Sequence, residues 1–190
     1  MGFFSNFFKS KPSRDEFVDL TNTLSHAMDG ALELFYWSCL EEVKKQGLNI
    51  KNEEVGGEAD TAIRAYQLQE AMQYIGINQY VEPSEGAFFA DLLYVDYCGN
   101  KIAEVGKVGE RYYNAEQNDR GKSLQLFSLD IAKYICSEEA LSVIPASISI
   151  AKCTLPLVVG QKVFISAAFG DSISMRSQSR KLDEINAEYK

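Results

Sequence analysis

Residues 14–46 carry the pattern of one uninterrupted helix, and a helix of that length constrains everything else the chain can build. Ser13-Arg14-Asp15-Glu16 forms a capping box, in which the serine accepts the third helical N–H and the glutamate reaches back to the cap. Phe17, Leu20, Leu24, Ala27, Met28, Ala31, Leu34 and Phe35 then recur at helical spacing. Lys44 and Lys45 complement the helix dipole in the last turn, and Gly47 suits the stop. At about 1.5 Å per residue such a helix is about 50 Å long. A compact chain of 190 residues has a radius of gyration of roughly 16 Å. The helix therefore crosses the whole molecule, and its neighbours have to line up along it. If the helix does not run straight, Gly30 is the expected place for a kink.

Shorter helical patterns follow. Leu48–Gly57 is polar and reads as a loop; Asp60 or Thr61 then caps a second helix that runs to Ile75, with Gly76 as its stop. Ile77–Pro83 is a connector, and Ser84 caps a third helix, Glu85–Cys98, apolar on much of its circumference and expected to be buried. Gly99-Asn100 breaks it, and Lys101–Asn114 makes a fourth helix in which Gly106 and Gly109 are weak points. After a polar loop to Gly121, Ser123–Cys136 is helical, and Ser137-Glu138-Glu139 restarts a short helix limited by Pro145. The expectation is a mainly α, multi-helix bundle. The alternative is an α+β fold with strands in 94–105, turning at Cys98-Gly99-Asn100, and in 147–166, where Ser147-Ile148-Ser149-Ile150 alternates. The chain divides into an aromatic and basic arm (1–12), a single helical domain (13–171), and a Ser-rich linker with a short C-terminal helix (172–190).

Charge narrows the function classes. Of the overall −8, residues 1–14 contribute three cations and no acid, and residues 172–190 four cations and three acids, so the body between them holds −12. Such a body repels phosphate backbones, which excludes general nucleic-acid binding and suits a basic protein partner. Cys39, Cys98, Cys136 and Cys153 are scattered without a CxxC pair and read as small core residues. No export signal is expected at the start of the chain, and Lys152, Gln161 and Lys162 argue against a membrane span in 143–169. The chain reads as cytoplasmic.

Tests for catalytic chemistry are negative. His26 is the single histidine, so His-Glu-x-x-His zinc sites and paired Glu-x-x-His iron sites are excluded, and no metal or other cofactor is expected. His26 and Cys39 on one helix lie about 20 Å apart, too far for a nucleophile pair; the plainer reading is an exposed histidine near Asp29. Arg120-Gly121-Lys122-Ser123 resembles the end of a phosphate loop. Glu116 stands where that loop needs glycine, however, and Asp119 adds repulsion, so an ordinary helix cap is expected. Asp91 and Asp96 are the most interesting carboxylates, but five helical residues turn them about 140° apart, a poor acid–base pair.

The arm is the remaining candidate. Phe3, Phe4, Phe7 and Phe8 share one face if helical, Lys9 and Lys11 follow, and Pro12 separates them from the long helix. Four exposed phenylalanines call for a cover: the protein's own body, a partner's groove or an anionic membrane surface. Met1–Asn6 misses the myristoylation pattern, which needs Ser or Thr at the position of Asn6. The sequence thus points to a non-enzymatic, acidic interaction domain (an adaptor, an immunity-type inhibitor or a chaperone) that binds a more basic protein. A peripheral-membrane protein anchored by the arm is the first alternative, and an enzyme with an acidic pocket the second.

Overall fold

The computed structural model describes residues 11–119, 121–136 and 140–188, apart from the side chain of Ala140. Over these residues the chain is a mainly α, multi-helix bundle without a strand. Its elements are α1 (Arg14–Lys45), α2 (Gly57–Ile77), α3 (Gly86–Cys98), a 3-10 turn (Gly99–Lys101), α4 (Ile102–Asn118), α5 (Lys122–Ile135), α6 (Ala140–Ala168) and α7 (Ser172–Glu188).

The long first helix forms as its caps dictate. The Ser13 N–H donates to Glu16 Oε2 at 2.8 Å, Lys44 and Lys45 occupy the last turn, and Gly47 takes φ 69° just beyond it. Its buried residues Phe17, Leu24, Met28, Leu32, Phe35, Cys39 and Val43 step by three, four or seven, a stripe along the full length. No break occurs at Gly30. Against that stripe α6 lies antiparallel. Gln46, just past the C-terminal end of α1, donates to Ser149 in the first half of α6, while Phe169 beyond its far end packs on Phe89, which packs on Phe17.

The strand alternative for 147–166 is thereby excluded. Val143, Ala146, Ile150, Thr154, Leu157, Gln161 and Ile165 are all buried and step by three or four. Within the Ser-Ile alternation at 147–150, Ser149 and Ile150 are buried, Ser147 is half-buried and Ile148 is exposed, which is a helical and not an alternating pattern. Pro145 does not end the helix, and Pro156 also lies inside it; each removes one N–H donor while the packed stripe continues past it. The other strand alternative, 94–105, is excluded as well. Gly99, at φ 54°, turns the chain from α3 into the 3-10 turn and then α4, so the β-branched and aromatic residues there are helical.

Further boundaries differ from expectation. Helix α2 starts at Gly57, so Asp60 and Thr61 lie inside it, and Gly76 is its penultimate residue instead of its stop. Helix α3 is capped at Glu85 and not at Ser84, and it is buried on one face only, with Phe88 and Val95 exposed on the other. Helix α4 runs on to Asn118. The Ser-rich segment is no linker: Ser172–Glu188 is one helix, started by Asp171, whose Oδ1 accepts the Ser174 N–H at 3.0 Å, and pinned by buried Ile185. The Ser137–Glu139 restart lies outside the described residues.

The phosphate-like sequence has a clear structural role. Gly121 adopts φ 80°, a left-handed turn that favours glycine. The Glu116 carboxylate accepts its N–H at 2.9 Å, and the Ser123 N–H and hydroxyl at 3.3 and 2.9 Å. Glu116 thus occupies the N–H groups at the α5 start that an anion would need, and the expected cap is made by Glu116 instead of Asp119.

By length and composition, Leu141–Ala168 would cross a membrane, so the charges at Lys152 and Lys162 do not by themselves exclude a span; a soluble core helix meets the same criterion. Only 39 % of its most apolar stretch is buried within the bundle. The outward residues in its first half include Leu141, Ile144, Ile148 and Leu155.

Candidate functional site

Antiparallel packing of α1 on α6 leaves a groove on one side of the pair. Its floor and walls are Leu24, Ala27, Met28, Ala31, Leu34, Phe35 and Ser38 from α1, Gln67 from α2, and Cys153, Pro156, Leu157, Gly160, Gln161, Phe164 and Ile165 from α6. The volume is about 230 Å³, and among the described residues no charged side chain lines it. Leu34 and Phe164 stand at the rim, 71 % and 57 % exposed, and Trp37, the only tryptophan, is 55 % exposed one turn further along α1. Small residues line one wall, Ala27 and Ala31 of α1.

The groove is not uniformly apolar. Gln161 is buried at 6 % exposure, and its Nε2 donates to the Gln67 carbonyl at 2.7 Å. Its Oε1 is buried and has no hydrogen-bond partner among the described residues. The other polar groups lining the groove are engaged within the protein: Gln67 Nε2 donates to the Met28 carbonyl, and the Ser38 hydroxyl to the Leu34 carbonyl at 2.9 Å. Cys153 lies beside buried Cys39 across the α1/α6 interface. All four cysteines are free thiols; Cys39, Cys98 and Cys136 are buried, and Cys153 is half-buried.

A second depression of about 540 Å³ lies among α2, α3 and α4, lined by Gln69, Gln73, Tyr94, Glu110, Glu116 and Gln117 with Leu68 and Met72. Carboxylates and amides make it polar, and Glu116 is committed to the α5 cap. Gln69 Oε1 is unpaired there too, but Gln69 as a whole is half-exposed. The α1/α6 groove is the better-defined site.

The residues singled out from the sequence fall elsewhere. Phe3, Phe4, Phe7, Phe8 and Lys9 lie outside the described residues, while Lys11 pairs with Glu82 at 3.1 Å. Asp91 and Asp96 are exposed and line neither cavity; Asp96 accepts the Thr21 hydroxyl. His26 is exposed, its Nδ1 set against the Asn22 carbonyl at 2.7 Å. Among the described residues no group of three or more His, Cys, Asp or Glu is placed to hold a metal ion.

Polar side chains also cluster behind the groove, but there they brace the bundle. Arg64 reaches Asp29 and the Tyr97 carbonyl at 2.7 Å each and both Asp60 oxygens at 3.1 Å; Lys101 meets Asp60 at 2.7 Å. This network ties α1, α2, α3 and the 3-10 turn together with each charge matched. No protein-family model matches this chain, and no curated protein or solved structure matches it either.

Proposed function

We propose that this chain is a non-enzymatic protein-interaction domain that seats an apolar side chain of a basic partner segment in the α1/α6 groove. The groove itself carries the reading: an open, uncharged concavity with exposed Leu34 and Phe164 at its rim. Such a surface gains by being covered. The body around it, at −12 by the sequence, steers a basic segment toward it and repels an acidic one. Adaptor, inhibitor and chaperone are all roles for such a surface.

Short amphipathic peptides of leucine and lysine, and their leucine–glutamate counterparts, test this with Trp37 fluorescence as the readout. The basic peptide binds and the acidic one does not, and added salt weakens the complex. Leu34→Gln/Phe164→Gln, two exposed positions that leave the core intact, weakens binding roughly tenfold or more, since apolar contact area is lost. Equal affinity of wild type and double variant contradicts the groove as the binding surface.

The outward stripe on α6 favours a second reading, association with a lipid surface. Leu141, Ile144 and Ile148 are exposed at 87 %, 59 % and 58 % on successive turns. In that case anionic liposomes float the intact chain and release Ile144→Asp/Ile148→Asp; a chain that stays in the soluble fraction at low salt rules it out.

A further inference from the structure

We propose that Cys39 and Cys153 form a redox-active thiol pair, which hydrogen peroxide oxidises to a disulfide tying α1 to α6. The site goes beyond the binding reading and does not depend on it. Cys153 is half-buried and lines the groove beside Leu34, Phe35 and Ser38 of α1. Cys39, fully buried on the α1 stripe, lies next to it. The register of the two helices independently puts them opposite each other. Gln46 meets Ser149. One turn on along α6 stands Cys153, and, the helices being antiparallel, the inward residues going back along α1 are Val43 and Cys39. Helices packed about 8–10 Å apart, each with a Cα radius of about 2.3 Å, bring directly facing Cα atoms to about 3.5–5.5 Å. A disulfide spans about 4.4–6.8 Å between Cα atoms, so closing it asks little movement of either helix. The other two cysteines stand elsewhere, Cys98 at the end of α3 and Cys136 just past α5.

The two thiols divide the work. The neighbouring Cys39 thiol holds the Cys153 thiol below its ordinary value, against the effect of burial, whereas burial pushes Cys39 well up. Cys153 is therefore the half-exposed thiolate that meets the oxidant, and Cys39 the thiol that resolves it. The Cys153 sulfur attacks one peroxide oxygen, the O–O bond breaks, and a sulfenic acid forms while the other oxygen leaves as water with the thiol's proton. The Cys39 sulfur then attacks the Cys153 sulfur, the S–O bond breaks, and the departing hydroxide takes the Cys39 proton as a second water. In sum two thiols give up two electrons and two protons, and one peroxide becomes two waters. Exchange with an external dithiol returns both thiols.

The test treats the full, reduced chain with one equivalent of hydrogen peroxide, counts its free thiols, and maps the digest by mass spectrometry. Two of the four thiols are lost together in a Cys39–Cys153 crosslink within one chain, Cys98 and Cys136 stay free, and dithiothreitol restores all four. Cys153→Ser forms no such crosslink. In Cys39→Ala the sulfenic acid has no partner, so dimedone, which traps sulfenic acids, labels Cys153 there and leaves the wild type unlabelled once the crosslink has formed. The wild-type map stands whether or not either variant folds. A wild type that keeps all four thiols overturns the proposal. So does one that loses Cys98 and Cys136 as fast as the pair, or that joins Cys153 to a second copy instead. A dimedone label that persists on wild-type Cys153 overturns it too, because it places Cys39 out of reach.

Discussion

Phe127→Ala lowers the stability of this protein by about 4 kcal/mol. The Phe127 ring is fully buried where four helices meet. It stacks on Tyr66 of α2 with centroids 4.2 Å apart and planes 7° from parallel, and on Phe35 of α1 at 5.6 Å; its edge contact with Tyr112 of α4 is at 6.1 Å. Truncation leaves a cavity that none of these rings can fill, because each is held by its own helix. The aromatic contacts add roughly 0.5–1.5 kcal/mol to what area alone predicts. The expected outcome is a fall in Tm of about 12 °C, with an unchanged denaturant slope in a urea melt. A loss under about 1.5 kcal/mol would mean that the four helices do not converge on this ring.

Asp60→Asn has the next largest effect, and it depends on pH. The Asp60 and Arg64 side chains are only 12 % and 17 % exposed, so removing the carboxylate strands a partly buried guanidinium. Breaking a buried pair costs about 3–5 kcal/mol. Asp29 and the Tyr97 carbonyl still hold Arg64, which brings the expected loss to about 2–3 kcal/mol at neutral pH. Burial pushes the Asp60 carboxyl up, and the Lys101 and Arg64 contacts outweigh it, so the group titrates below its ordinary range. A carboxylate with a depressed folded pKa contributes its full stability above the unfolded value, near 3.9, and loses it as pH falls toward the folded one. Urea melts of the two proteins therefore differ most above about pH 5 and converge as the pH falls through the depressed folded value. A constant difference across that range would show that the carboxylate's charge is not what holds the network.

The sequence made α1 legible because both of its ends carry chemical punctuation and its apolar stripe is unbroken. Helix α6 was harder to read for a physical reason. Its stripe from Val143 to Ile165 is regular, but Pro145, Pro156 and a local serine–isoleucine alternation suggested breaks and strands that tertiary packing overrides. The serines of α7 misled in the same way: Ser172, Ser174, Ser177 and Ser179 are weak helix formers, and docking on α6 supplies what propensity does not. The groove left no contiguous mark, since its two walls are about 115 positions apart in sequence. One signal was present. Gln161 interrupts an apolar stretch, and it counted only against a membrane span, although a polar residue on the buried stripe of a helix is also a candidate binding group. Glu116 was legible as an obstacle to phosphate, but its bonds to Gly121 and Ser123 exist only once α4 and α5 have folded against each other.

The groove as the protein's binding surface is tested most directly by amide and methyl chemical-shift mapping of the labelled chain as the basic leucine–lysine peptide is added. The expected result is a contiguous set of shifts over the groove-lining residues between Leu24 and Ser38 of α1 and between Cys153 and Ile165 of α6. Shifts confined to the outward face of α6 at Leu141, Ile144 and Ile148, or to the depression among α2, α3 and α4, would contradict it.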